Sequence, residues 1–232
     1  MQRQVKDSAA TRRDQLHEEL ELLFLREGFL HFRTEELASR LHCSKRALYQ
    51  IAPSRQQLFE RAVERWLSKL RKAGIEAAGR APDPFAAVTD YLGAAIVATR
   101  DASAQFVRDL SRLPATYRRL MSHQRERIAG LERLIEEGTA RGDFRGVHAK
   151  LIAEVMLNAV AQLVDPEVLA RVGLTMSEAF AELYDIVEHG LVRGNGSTRA
   201  AAVKPRARRR RRQPPTLAGA IAPVGRDPAP ID

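Results

Sequence analysis

At 232 residues, with 38 Lys or Arg, 29 Asp or Glu and a single cysteine, the chain is long enough for one large domain or two small ones and has no thiols for a disulfide framework or a thiolate metal cluster. No apolar run approaches the roughly 18 to 20 residues of a membrane span, and the opening MQRQVKDSAATRRD lacks the apolar core of a signal peptide, so no membrane partner and a cytoplasmic location are expected. The net charge of +9 is mostly a property of one end: residues 193–232 hold ten basic and two acidic residues, whereas residues 1–192 hold 28 and 27.

Alanine, leucine, arginine and glutamate dominate, β-branched residues are sparse and alternating apolar runs are absent. That composition predicts an all-α fold. Residues 1–13 read as a basic N-terminal arm, either unstructured or able to touch a DNA backbone. A first helix is predicted from Asp14, with Leu16, Leu20, Leu23 and Phe24 on one face and Gly28 as its C′ residue.

The stretch Thr34 to Tyr49, TEELASRLHCSKRALY, predicts a short helix, a tight turn at His42-Cys43 and a second short helix. Thr34 is placed as N-cap of the first, with Glu35 and Glu36 at the positive end of its dipole. Ser44 caps the second. Leu37, Leu41 and Leu48 point inward; Lys45, Arg46, Tyr49 and Gln50 point outward. This is a helix-turn-helix pattern with its second helix suited to a major groove. Between Ala38 and Gln57 stand Arg40, Lys45, Arg46 and Arg55 and no acidic residue, as contact with phosphates requires. A lone half-buried Cys43 reads as a structural thiol filling the turn rather than a redox sensor.

Ser54 with Gln57 reads as a capping box opening a fourth helix, whose stripe from Leu58 to Leu70 includes Trp66 and runs towards Gly74. The order of apolar helix, Gly28, Phe29, Thr34, Leu37-Ala38, Leu41, turn, Ser44, Leu48-Tyr49, Pro53-Ser54-Arg55 and Leu58 resembles the N-terminal DNA-binding domain of TetR-type transcriptional regulators. The match covers about Leu16 to Leu67. The chain departs from it in three places. His42 stands where glycine is usual, Gln50-Ile51-Ala52 replace the usual aromatic or His-Phe pair, and Arg55 replaces the lysine that opens the fourth helix. The resemblance implies a three-helix DNA-binding domain at 14–60, a helical regulatory and dimerisation domain at 61–192, and a homodimer on a double-stranded DNA operator. It also implies a small-molecule effector and, most often, repression. The DNA contacts it implies are Thr34, Ser44, Lys45, Arg46, Tyr49, Gln50 and Arg55.

Beyond Gly74, Asp83 and Pro84 open a helix carrying Phe85, Val88, Tyr91 and Leu92. A shorter helix follows at about Ala102 to Arg112, and a long charged one from Pro114 that ends at Gly138 and Gly142. Polar residues within apolar helices (Gln105, Asn158, Gln162) mark a pocket, a dimer contact or internal hydrogen bonds. The candidate ligand pocket is accordingly Trp66, Phe106, Tyr117, Met121, Met156 and Asn158. His123 and His148 are expected at the surface.

Two helices, about Val147 to Val164 and Ser177 to Leu191, carry apolar arcs broader than one buried stripe. Leu151, Val155, Ala159, Gln162, Phe180, Leu183, Tyr184 and Val187 are therefore the candidate homodimer interface, a four-helix packing with a second copy. Residues 193–232 are rich in proline and arginine and aperiodic, so a disordered basic tail is expected. No GxSxG, HExxH, Walker-type or CxxC motif occurs and the histidines lack metal-ligand spacing, so neither an enzyme, a cofactor nor a metal is expected. The functional alternative is a non-specific nucleic-acid-associated protein driven by its Arg-rich tail.

Overall fold

A computed structural model describes the backbone of residues 2–191 and the side chains from Arg12 onward; the expectations for the tail and for side chains of the N-terminal arm lie outside the described residues. The described residues form ten helices and no strand: α1 (Gln2–Glu27), α2 (Thr34–Arg40), α3 (Lys45–Ile51), α4 (Arg55–Arg80), α5 (Pro84–Thr99), α6 (Ala104–Arg112), α7 (Pro114–Arg141), α8 (Ala149–Leu163), α9 (Pro166–Val172) and α10 (Met176–Leu191). The all-α class is as expected. Helix α1 starts at Gln2, twelve residues before Asp14, so the arm is part of the first helix. Helix α4 continues through Gly74 and Gly79 to Arg80, because Gly74 is buried against neighbouring helices and packing outweighs its low helix propensity.

Local chemistry explains the ends. Asp83 accepts from the Ala86 N–H at 2.8 Å with Pro84 in the first turn of α5, and Ser103 accepts from Phe106 N at 3.1 Å to open α6. Thr175 and Glu178 cap α10 reciprocally: the Thr175 N–H donates to the Glu178 carboxylate at 2.8 Å, and Glu178 N donates to Thr175 Oγ1 at 3.3 Å. Helix α7 ends on Gly142 at φ 82°, in the left-handed region that glycine enters at little cost. Helix α9 has no counterpart among the expected elements. Asp165 caps it and Gly173 at φ 72° closes it, a helix of about two turns that is too brief to show periodicity in sequence.

Helix α4 packs along α5 and joins the helix-turn-helix end to the rest. A chain of aromatic rings makes that junction continuous. Phe29 stacks on Phe59 at 4.6 Å between centroids, Phe59 meets Phe106 edge-on at 6.0 Å, and Phe106 meets Trp66 edge-on at 5.4 Å. Each such pair adds about 0.5–1.5 kcal/mol beyond burial itself. The Trp66 indole N–H donates to the Ala98 carbonyl at 2.9 Å, so this side chain is a satisfied core residue.

Candidate nucleic-acid interface

Helices α2 and α3 are held by small, specific devices. Thr34 is the first residue of α2 rather than its cap; the cap position is Arg33, whose N–H donates to the Glu36 carboxylate at 3.3 Å. Ser44 does cap α3, its Oγ accepting from Ala47 N at 3.1 Å, worth about 1 kcal/mol. Between them His42 adopts φ 46°, the left-handed conformation for which glycine is the usual choice and which histidine tolerates. Cys43 is half-buried in that turn, and burial pushes its thiol pKa up, away from the reactive thiolate.

The faces of α3 separate cleanly. Leu48 and Ile51 are buried, while Lys45, Arg46, Tyr49 and Gln50 are exposed, Tyr49 by 50%. An aromatic half in water on a short polar helix is an invitation to a partner surface. Arg46 forms no ion pair among the described residues. Lys45 differs: its ammonium pairs with Glu35 of α2, and that contact holds the Glu35 carboxyl below its ordinary pKa. The acid-free stretch in sequence therefore has an acid beside it in space. Arg55 also departs from its expected role. Its guanidinium donates to the Phe32 carbonyl and lies 5.5 Å from the Phe29 ring centroid, so it ties the α1–α2 connection to α4 instead of facing outward.

The α1–α2 connection is fixed from the other side by a residue that the sequence did not single out. Asp109 of α6 is fully buried and accepts from Phe29 N at 2.6 Å and Leu30 N at 2.8 Å through Oδ2, while Oδ1 accepts from Gln105 Nε2 at 2.8 Å. Gly28 makes the approach possible. Its φ is 80°, and a Cβ there would stand 2.8 Å from Asp109 Oδ2 and 2.6 Å from Gln105 Cγ. Gln105 is thus an internal hydrogen-bonding residue, not a pocket one.

The six expected pocket residues do not converge. Phe106 and Met156 are buried in the core, Trp66 is buried but borders an open groove of about 890 Å³ between α1, α4 and α5, Met121 is half-buried, Tyr117 is 38% exposed, and Asn158 is exposed with its amide donating to Glu154 O at 2.8 Å. Tyr117 instead lines an open groove of about 710 Å³ with Arg108, Gln162 and Asp165. A second cleft, of about 690 Å³, lies between α4, the start of α5 and α7, with Tyr91 and Arg127 among its lining residues.

The polar interior lies along α7. His123, Gln124 and Arg127 are buried, contrary to the surface position expected of His123, whereas His148 is exposed and caps α8 by accepting from Leu151 N at 3.3 Å. Neither ring nitrogen of His123 has a hydrogen-bond partner. Burial, then the Arg127 and Arg71 charges, lower its pKa from the ordinary 6.5 to about 3. The folded chain keeps this imidazole neutral while the unfolded chain protonates it, so the unfolded state binds more protons below pH 6.5 and stability falls with falling pH. Between about pH 7.5 and pH 5.5 the loss attributable to His123 is about 1–1.5 kcal/mol. Chemical denaturation of the protein and of His123→Gln at both pH values checks it: the difference in stability between the two chains should shift by that amount. The lowered pKa of His17 acts on both chains alike.

The expected interface residues divide. Leu151 and Val155 on α8 are 61% and 59% exposed, and Gln162 is exposed on the groove side; Ala159, Leu183 and Val187 are half-buried. Phe180 and Tyr184 are buried within the chain's own core, stacked on one another at 5.6 Å, and present no surface. Ile186 on α10, absent from the expected set, is 69% exposed.

No family model and no curated protein matches this chain. Solved structures do. A protein from Saccharomonospora viridis, described as a transcriptional regulator and solved in complex with choline, aligns with a TM-score of 0.64 at 17% identity over 80% of this chain and 100% of its own. A TetR-family transcriptional regulator from Agrobacterium tumefaciens aligns with a TM-score of 0.61 at 17% identity, covering 79% and 99%. The TetR-family regulator PfmR from Thermus thermophilus aligns with a TM-score of 0.54 at 22% identity, covering 77% and 99%. At these identities the likeness is one of architecture: the chain has the fold of TetR-family transcriptional regulators, a helix-turn-helix end joined to a larger helical body.

Proposed function

We propose that the protein is a homodimeric, ligand-responsive transcriptional regulator of the TetR type that reads double-stranded DNA through α3. The observation that carries this reading is the outward face of α3. Arg46, Tyr49 and Gln50 stand exposed beside Lys45 on a helix whose opposite face is anchored by Leu48 and Ile51. Arg46 is the strongest candidate for a base or phosphate contact, because its fork is unpaired. Lys45 reaches DNA only by exchanging Glu35 for phosphate, which tunes affinity downward and raises the cost of non-specific binding. Ser44 caps α3, Glu36 closes the start of α2, and Arg55 supports both helices from behind.

A dimer supplies the second half-site. The apolar side chains of Leu151, Val155 and Ile186, all more than half exposed on adjacent helices, support a two-fold packing of α8 and α10 on a second copy. The helical body offers clefts for an effector, and release of DNA requires that the effector bind one dimer geometry better than the other. The choline of the Saccharomonospora viridis structure is a cation. The interior here already holds Arg127 across the Tyr91 ring at 4.7 Å, in the position an ammonium ligand would take. Choline is not proposed for this chain.

Arg46→Ala and Tyr49→Ala test the reading. Each removes one exposed contact, so operator affinity should fall by about 1–3 kcal/mol, roughly 5- to 150-fold, with the thermal midpoint essentially unchanged. Fluorescence anisotropy on a selected operator measures it. Affinity that survives both substitutions but vanishes when the chain is ended at Val192 would instead favour binding by the Arg-rich tail.

A further inference from the structure

Arg127 is a charge without a counter-charge. It is 4% exposed, and no carboxylate lies within ion-pair distance of it among the described residues. Its Nη2 donates to the Tyr91 carbonyl at 2.9 Å, its plane lies over the Tyr91 ring, and the Tyr91 hydroxyl donates back to the Arg127 carbonyl at 3.0 Å. Its Nη1 has no partner. A guanidinium cannot be neutralised by losing a proton, so burial leaves a full positive charge looking for an anion.

The surroundings are shaped around this group. Gly74 of α4 leaves space where a Cβ would stand 3.0 Å from Nη1, and Gly130 of α7 leaves space for the Tyr91 hydroxyl. Arg71, half-buried nearby, stands 3.2 Å from Glu126, whose carboxylate is half in water. His123, one turn along α7, stays neutral in this field. Burial raises the pKa of the Tyr184 phenol, while the Arg127 charge and a side-chain hydrogen bond with Arg127 work the other way, so Nη1 is the part of the guanidinium left without an acceptor. Arg127 lines the cleft of about 690 Å³ between α4, α5 and α7, a volume suited to a small ligand; Arg71, Arg133 and Arg141 stand around it with Asp83, Glu126 and Glu137, so the buried guanidinium and not the rim sets the preference for an anion. Ile75, Ala78, Ala87 and Leu134 give that cleft apolar walls, with Ile75 60% exposed at its edge.

We propose that this cleft binds an organic monocarboxylate with an apolar body, the carboxylate pairing with Arg127 and the body lying along Ile75 and Leu134. One carboxylate supplies the missing acceptor and the missing charge together. A cationic ligand is repelled, and a neutral one leaves Nη1 unpaired. As the effector of a DNA-binding regulator this ligand rests on the function proposed above; as a binding site it stands on the cleft alone.

Calorimetric titration of the full chain with hexanoate, octanoate and decanoate tests it, with 1-octanol and octylammonium as matched neutral and cationic probes. Saturable binding of a carboxylate is expected, at least about tenfold tighter than either matched probe, and Arg127→Met should abolish that preference while Arg127→Lys keeps it in part. Ile75→Glu, an exposed substitution that does not depend on repacking the core, should weaken carboxylate binding at least about tenfold through like-charge repulsion at the entrance. No saturable binding of any of the three acids, equal binding of octanoate and octanol, or an undiminished acid preference in folded Arg127→Met overturns the proposal. So does Ile75→Glu binding like the parent chain. Selective DNA binding measured on the same preparation separates the two readings. DNA selectivity without carboxylate binding removes only this inference, and carboxylate binding without DNA selectivity removes only the regulator.

Discussion

Asp109→Ala is expected to lower the unfolding free energy by about 3–4 kcal/mol, the largest loss of any single polar substitution in the described body. The carboxylate caps no helix of its own. It satisfies two backbone N–H groups about eighty residues away, those of Phe29 and Leu30, the first buried and the second partly so. Alanine leaves both donors unpaired, at about 1–3 kcal/mol each, partly relieved if water enters the vacated space. Asp109→Asn keeps one acceptor oxygen for the two N–H groups but turns an NH2 towards the donating Nε2 of Gln105, so that bond is lost unless the Gln105 amide turns over and gives up Arg108, and about 1–2 kcal/mol is expected. Urea unfolding of the three chains gives the comparison, and a loss below about 1 kcal/mol for alanine would show that the clamp contributes little. Because the same contact sets the connection from α1 into α2, the destabilised chain should also bind DNA less well.

Ile186→Glu is expected to convert the proposed dimer into a monomer and to lower operator affinity at least about 100-fold. Ile186 is 69% exposed in the protomer, so its replacement does not disturb the core of α10, which rests on Phe180 and Tyr184. At a two-fold interface, however, each substitution appears twice and brings two carboxylates into an apolar contact. Loss of the dimer removes the second α3 from the operator, and with it the multiplied affinity of two linked half-sites. Leu151→Glu on α8, 61% exposed, should act in the same way. Sedimentation and anisotropy on the same samples measure both effects. A dimer that persists in both variants would place the interface elsewhere.

What can be read from sequence is whatever a repeat of 3.6 residues decides. Leu48 inward with Lys45, Arg46, Tyr49 and Gln50 outward follows from spacing alone, whereas the left-handed His42 is suggested by the resemblance, which has glycine at that position. The caps at Ser44, Ser54, Asp83 and Thr175 are legible because their partners lie three residues away. Long-range partners are not. Asp109 on a short amphipathic helix looks like a solvent-facing acid until Gly28 and Phe29 arrive against it. Arg55 looks like a phosphate contact because its acceptor, the Phe32 carbonyl, leaves no trace in side-chain chemistry.

Helix α7 is the hardest to read. His123 and Arg127 stand three and seven residues after Leu120, on the face shared with Ile128 and Leu131, but their polar chemistry argues for solvent, and only the packed structure shows them buried. The broad apolar arc of α10 has the opposite problem: it contains both core and surface residues, and only packing assigns Phe180 and Tyr184 to one and Ile186 to the other. The expected pocket fails for a related reason, since Trp66 and Phe106 close the core on each other.

Selection of bound duplexes from a random pool, with the full chain and with the chain ended at Val192, tests the central claim most directly. Both are expected to enrich the same two-fold symmetric motif, with half-sites one helical turn apart or a multiple of it, and the Arg46→Ala, Tyr49→Ala double variant none. Salt-sensitive binding without a motif, or a preference that disappears with the tail, would contradict DNA reading by α3.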